Sequence, residues 1–241
     1  MAEWFDKVKY EFILNFIDGD RWKLLVDGLK TTFEITIVAV LLGIVLGILV
    51  AIIRSSYDKN SEHMHGISKA ILAIFNSIAK IYLTVIRGTP VVVQLLIMYY
   101  IIFASSNNKL LIAILSFGIN SGAYVAEIFR SGIMSIDSGQ LEAGRALGLN
   151  YVQTMVKIII PQAFKNVLPA LANELIVLLK ETSVSGYVAM TDLTRAGNII
   201  RGVTFSAFMP LIAVALIYLV VVMILTKLVS LLERRLRASD H

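Results

Sequence analysis

Apolar residues in this chain gather into long blocks rather than the short periodic stripe of a soluble amphipathic helix. The clearest block, "TTFEITIVAVLLGIVLGILVAII" over 31–53, contains a single charged residue, Glu34. At about 1.5 Å per residue it reaches roughly 35 Å, enough to cross a bilayer with some tilt. Two more spans are expected over about 110–130 and 210–232. The first of these carries Ser116, Gly118, Asn120, Ser121 and Gly122, small and polar positions suited to a face packed on another helix or lining a cavity. Two blocks are harder to assign. Positions 67–104 are interrupted by Lys80 and by "RGTP" at 87–90, so they hold either two spans or one long, broken one. Positions 163–182 carry Asn173, Glu174, Lys180 and Glu181, and a plain hydropathy window would score them poorly.

The basic residues decide the count. With one crossing in 67–104, five spans result. One side of the membrane then holds Arg54, Lys59 and Lys69, the central Arg130, Arg145, Lys157 and Lys165, and the C-terminal Lys227, Arg234, Arg235 and Arg237. The opposite connections hold only Lys109, Arg195 and Arg201. Because short cytoplasmic loops collect Lys and Arg, the central stretch and the C-terminus are expected in the cytoplasm. Two crossings in 67–104 would scatter these charges to both sides. Residues 1–27 balance their charges less neatly, but Trp4, Phe5, Phe12, Phe16 and Trp22 suit an amphipathic piece at the interface. The expected organisation is this segment, one membrane domain over 28–232, and a cytoplasmic tail over 233–241.

Composition agrees with that reading. The 241 residues are 57% hydrophobic and only 16% charged, too little charge for the solvated surface of a soluble domain. The net charge of +5 lies in short connections rather than one patch, which argues against a nucleic-acid surface. With no cysteine, disulfides and thiolate chemistry are excluded. His63 and His65 in "NSEHMHG" have no third ligand nearby, so a solvated loop is expected and no metal site. No "GxxxxGK[ST]" phosphate loop occurs, so this polypeptide does not bind and split ATP by that route.

One stretch does not belong in lipid: "EAGRALGLNYVQTMVKIIIP", from Glu142 to Pro161. Glu142 to Leu147 contain good helix formers, Gly148 tolerates positive φ and stops them, and a second helix follows that Pro161 is expected to close. A short helix–turn–helix outside the membrane has little core of its own and suits a surface received by a second protein. Its spacing, Glu142-Ala143-Gly144, three residues (Arg145, Ala146, Leu147), Gly148, nine residues and Ile158-Ile159-Ile160-Pro161, resembles the EAA loop of ATP-binding-cassette (ABC) importer permeases. Gly144 stands where that loop usually has alanine, and Ile160 where it usually has leucine. Glycine there costs about 1 kcal/mol of helix stability, and it would permit close backbone approach to a partner. "RGTPVVVQLL", "AYVAEIFRSGIMSIDSGQLEAGRALGL" and "LLKETSVSGYV" narrow the resemblance to the polar amino acid branch.

That resemblance implies a type I importer permease fold whose loop over 135–162 forms the coupling helices on a dimeric ATPase. ATP and magnesium would belong to that ATPase and not to this chain. It further implies a second permease, the same or related, an extracellular substrate-binding protein, and residence in a bacterial cell membrane. The chain itself would be a transport subunit and not an enzyme.

Charged groups at bilayer depth are costly and therefore usually paired, wet or functional. Glu174 and Glu181 lie seven residues apart, on nearly one helix face, with Lys180 turned about 100° away. Arg87 and Gln94 are also seven apart, and the third span adds Asn120, Ser121 and Tyr124. These residues are the expected substrate contacts, with Glu174 deepest in its apolar run. A carboxylate there favours arginine, lysine or histidine, while glutamine, glutamate and cystine stay open. Glu127 and Arg130 are read as an intrahelical pair. A secondary transporter is the alternative, but five spans without half-to-half similarity argue against it.

Overall fold

The computed structural model describes residues 1–61 and 64–238, so His63 and the tail residues 239–241 lie outside the described residues. Among the described residues the chain is helical with no strand. Helix α1 (Ala2–Phe12) runs through a π turn (Ile13–Ile17) and a 3-10 turn (Asp18–Asp20) into α2, Trp22–Asn60. Left-handed Gly19 and Asp20 separate the two helices. The 39 residues of α2 start earlier than the apolar block does, with Lys23, Leu24, Leu25, Leu29 and Lys30 favouring helix despite Gly28.

The block over 67–104 divides in two. Helix α3 (Ile67–Gly88) is long and apolar enough to cross a membrane. It ends at Thr89, whose backbone is extended (φ −124°, ψ 145°), as the residue before a proline prefers. Helix α4 (Val91–Ile97), prolonged by a π turn (Met98–Ile102), is too short to cross alone. Next come α5 (Lys109–Met134), α6 (Ser138–Ala146), α7 (Tyr151–Thr154) and α8 (Ile160–Glu181). A 3-10 segment (Thr182–Val188), α9 (Leu193–Thr204) and α10 (Phe208–Ala238) complete the chain. By length and composition α2, α3, α5 and α10 qualify as membrane spans. The 22-residue α8 is long enough, but its polar residues keep it below an apolar composition.

Two compact units are distinguished. The first comprises 1–38, 91–117 and 176–227. Its core packs Phe16 and Leu25 with Leu193, Ala196, Ile200 and Val214. Phe16 is thus a core residue, whereas Trp4, Phe5, Phe12 and Trp22 stay exposed. Polar contacts tie the N-terminal segment down: Thr204 Oγ1 donates to buried Asn15 (2.7 Å) and Ser206 Oγ to Glu11 (2.8 Å). Buried Asp192 caps α9, accepting from the backbone N–H groups of Thr194 and Arg195. Burial pushes its carboxyl above the ordinary range against those lowering hydrogen bonds.

The second unit comprises 39–90, 118–175 and 228–241. Here α2 and α5 approach closely through small residues. A Cβ on Gly47 would stand 2.5 Å from Val125 Cγ1 and 2.8 Å from the Ala126 nitrogen. A Cβ on Gly122 would meet Leu46 at 3.0 Å and the Tyr82 hydroxyl at 2.8 Å. That hydroxyl donates to the Ile119 carbonyl (2.6 Å), joining α3 to α5. Arg54 Nη1 joins α2 to α3 by donating to the Asn76 side chain (2.8 Å).

Because backbone atoms face Gly47, the clash cannot be relieved by one side chain turning aside. Gly47→Ala is expected to lower stability by about 1–3 kcal/mol. Gly88→Ala, with nothing within 4 Å of its site, is the matched control. Thermal unfolding of the purified protein should shift for the first and not for the second.

Candidate functional site

Two groups of residues in the second unit carry candidate function. The first is the polar loop. Asp137 caps α6 by accepting from the Gly139 backbone (2.6 Å). Gly148 ends the helix with φ +82°, and the Leu149 N–H returns to the Gly144 carbonyl (3.1 Å). Asn150 and Gln153 then cap each other's backbone N–H groups reciprocally, starting α7. The expected helix–glycine–helix is present, but Pro161 does not close the second helix. A π turn (Met155–Ile159) leads straight into α8, which runs through Pro161 and Pro169 to Glu181. The π turn just before it shifts the hydrogen-bond pattern and so accommodates a residue without an N–H. The Ile160 N–H bonds instead to Met155, one residue further back than in an α-helix.

Gly144 is likewise reassigned. It does not bring the backbone close to an outside partner, because it is buried inside the loop. A Cβ there would meet Thr154 Cγ2 at 2.4 Å and Oγ1 at 2.8 Å, so no rotamer of Thr154 frees the space. Glu142, Ala143, Arg145, Ala146, Gly148 and Pro161 are exposed. So are the apolar side chains of Leu147 (79%), Val152 (65%) and Val156 (57%). A cavity of about 900 Å³ adjoins them, lined among others by Ile133, Leu141, Arg145 and Tyr151. Burial raises the Tyr151 phenol pKa, which keeps the group neutral.

The second group lies where α5 meets α8. Glu174 is 8% exposed and accepts a hydrogen bond from Ser121 Oγ at 2.8 Å. Asn120 is buried beside Ser121 in sequence, and Tyr124 stands one turn further along α5. Glu174 and Tyr124 line a cavity of about 600 Å³ together with Glu127, Ser131, Ser135 and Asn166. Asn166 donates to Ser135 Oγ at 3.0 Å. Arg87, at the end of α3, places Nη1 3.8 Å from Glu127 Oε1 and its guanidinium 5.9 Å from the Tyr124 ring centre. Arg130 Nη2 holds the other Glu127 oxygen at 3.2 Å. Of the expected contacts, Glu174, Ser121, Asn120, Tyr124 and Arg87 therefore belong to this unit. Gln94, Lys180 and Glu181 belong to the first, where Lys180 is exposed and Glu181 half-buried.

Glu127 is the residue that sequence reasoning undervalued. Its pairing with Arg130 is present, yet the same carboxylate also faces Arg87 and the cavity. The available signal was spacing: Asn120, Tyr124, Glu127, Ser131 and Ser135 follow one another at three to four residues, a polar stripe on one helix face. Among the described residues no group of three or more His, Asp or Glu side chains is placed to hold a metal.

The Gly144 contact is directly testable. Gly144→Ala gains helix propensity but clashes with Thr154, for a net loss of about 1 kcal/mol in loop stability. Amide hydrogen exchange over 138–159 should quicken, and a second change, Thr154→Ala, should slow it again by removing both clashing atoms.

Residues 65–238 match the family of binding-protein-dependent transport system inner membrane components. The arginine transport system permease protein ArtQ of Bacillus subtilis strain 168 is 36% identical over 219 residues, spanning 90% of this chain and 94% of that protein. The glutamine transport system permease protein GlnP of Escherichia coli K12 is 34% identical over 218 residues, spanning 89% and 93%. A solved amino acid ABC transporter with histidines superposes at TM-score 0.78 with 39% identity, covering 96% of this chain and 97% of that one. The MetNI methionine ABC transporter in an inward-facing conformation shares the fold, at TM-score 0.70 and 23% identity over 91% and 98%. Helices, loop and family match agree: this chain belongs to the binding-protein-dependent inner membrane components and is a membrane-embedded permease subunit of an ABC transporter.

Proposed function

We propose that this permease carries amino acids into a bacterial cell and prefers cationic ones such as arginine, lysine or histidine. The observation that carries the preference is Glu174, a buried carboxylate hydrogen-bonded to Ser121 in a cavity whose lining includes a second carboxylate, Glu127. Removed from bulk water, a carboxylate attracts a cationic group far more strongly than an exposed one does. Glu174, Ser121, Asn120 and Tyr124 form the substrate-facing set in this unit, with Gln94, Lys180 and Glu181 as the set in the other. Relatives named for arginine and for glutamine support an amino acid cargo, and the neutral cargo is the second reading.

In this reading α8 is the fourth of five crossings, and the basic connections hold the loop and the C-terminus in the cytoplasm. The loop over 135–162 docks on a dimeric ATPase that holds ATP and magnesium. Its exposed Leu147, Val152 and Val156 supply the apolar contact. A second permease, identical or related, completes the pathway, and an extracellular binding protein delivers the substrate. Nucleotide shifts the population between inward- and outward-open shapes only because its ATPase sites bind it with different affinity in each.

Uptake by the reconstituted complex tests the preference. Glu174→Gln keeps the shape and removes the charge. Losing a charge-assisted contact of about 1.5–3 kcal/mol should weaken arginine uptake roughly tenfold or more and spare glutamine. Uptake and preference unchanged in Glu174→Ala would remove Glu174 from the site.

A further inference from the structure

The cradle around Arg87 has the chemistry of a guanidinium site. Glu127 offers a carboxylate and Tyr124 an aromatic ring, the two surfaces a guanidinium recognises. Both residues also line the cavity that contains Glu174. A cationic side chain entering that cavity would thus meet a carboxylate and a ring already engaged by a cation of the protein's own. Arg87 is held loosely. Its 3.8 Å approach to Glu127 exceeds hydrogen-bond reach, and its side chain keeps 45% exposure. Gly88, next to it, has open space around it, and the helix ends at Thr89. Arg130, by contrast, reaches Glu127 at 3.2 Å from one turn along the same helix.

We infer that Arg87 is an internal competitor of the substrate: its guanidinium occupies the Glu127–Tyr124 cradle while the cavity is empty, and an incoming cationic amino acid displaces it. This rests on the cationic reading above. It makes Glu127 and Tyr124 specificity determinants, with Arg87 setting how tightly a cation must bind to enter. A neutral amino acid brings no side-chain cation to exchange for Arg87, so it gains less from the cradle.

Calorimetric titration of the purified permease–ATPase complex, without binding protein, tests this with arginine, lysine and glutamine. A cradle occupied by Arg87 about nine-tenths of the time weakens apparent binding about tenfold, so R87Q should tighten arginine by that factor and raise the arginine-to-glutamine affinity ratio. E127Q should weaken arginine about tenfold, and the double variant should match E127Q alone, since no cradle is left to contest. Should R87Q fail to assemble, R87K retains the charge without the planar fork and should still tighten arginine, by about threefold. Arginine affinity that is unchanged or weaker in R87Q, with saturable wild-type binding, overturns the competitor and leaves the cationic reading standing. No saturable arginine or lysine binding by the wild type overturns both.

Discussion

Within lipid, helices gain little from hiding apolar surface from one another, so their association depends on how closely their backbones pack. In this permease that closeness is set by glycines on α2 and α5. Gly47 leaves space for Val125, and Gly43 for Ser121, whose Cβ and Oγ would each lie 2.9 Å from an added Cβ. Ser121 is also the residue that donates to Glu174. The polar centre of the second unit thus rests on a steric condition at a neighbouring helix: fill Gly43 and Ser121 must move, and the buried carboxylate loses a donor.

A carboxylate removed from water has to be matched locally or the fold suffers. The two acids of the cavity meet this requirement differently. Glu174 draws on a hydroxyl from α5 and lines the cavity. Glu127 lies between two arginines, one close and on its own helix, the other more distant and at the end of α3.

The loop and the membrane part of the second unit are joined without a flexible link. From Tyr151 through the π turn to Glu174 the backbone stays helical, across Pro161 and Pro169. Gly144 against Thr154 locks α6 onto the beginning of that helix. A push on the exposed face at Leu147 and Val152 therefore acts on one helical run that carries Glu174 some twenty residues later, with the π turn and Pro169 as the points where it can bend. Under the proposed function this joins the ATPase contact to the substrate cavity through a single helical element.

Much of this was readable from residue order. Long apolar runs, the Gly148 stop, the break before Pro90 and the loop spacing are local properties, dictated by backbone sterics and by the cost of polar groups in lipid. They placed the helices, the membrane class and the family resemblance. What residue order could not decide was which polar groups meet. Ser121 and Glu174 are 53 positions apart and Arg87 and Glu127 are 40 apart, and no periodicity links such pairs. The same limit hid the reason for Gly144, whose partner Thr154 lies across a turn, and the persistence of the helix through Pro161, which a π turn accommodates. Sequence by itself determined the elements, since each follows from neighbours within a turn or two. Only the tertiary structure decided the site, because its contacts depend on how closely separate helices can approach.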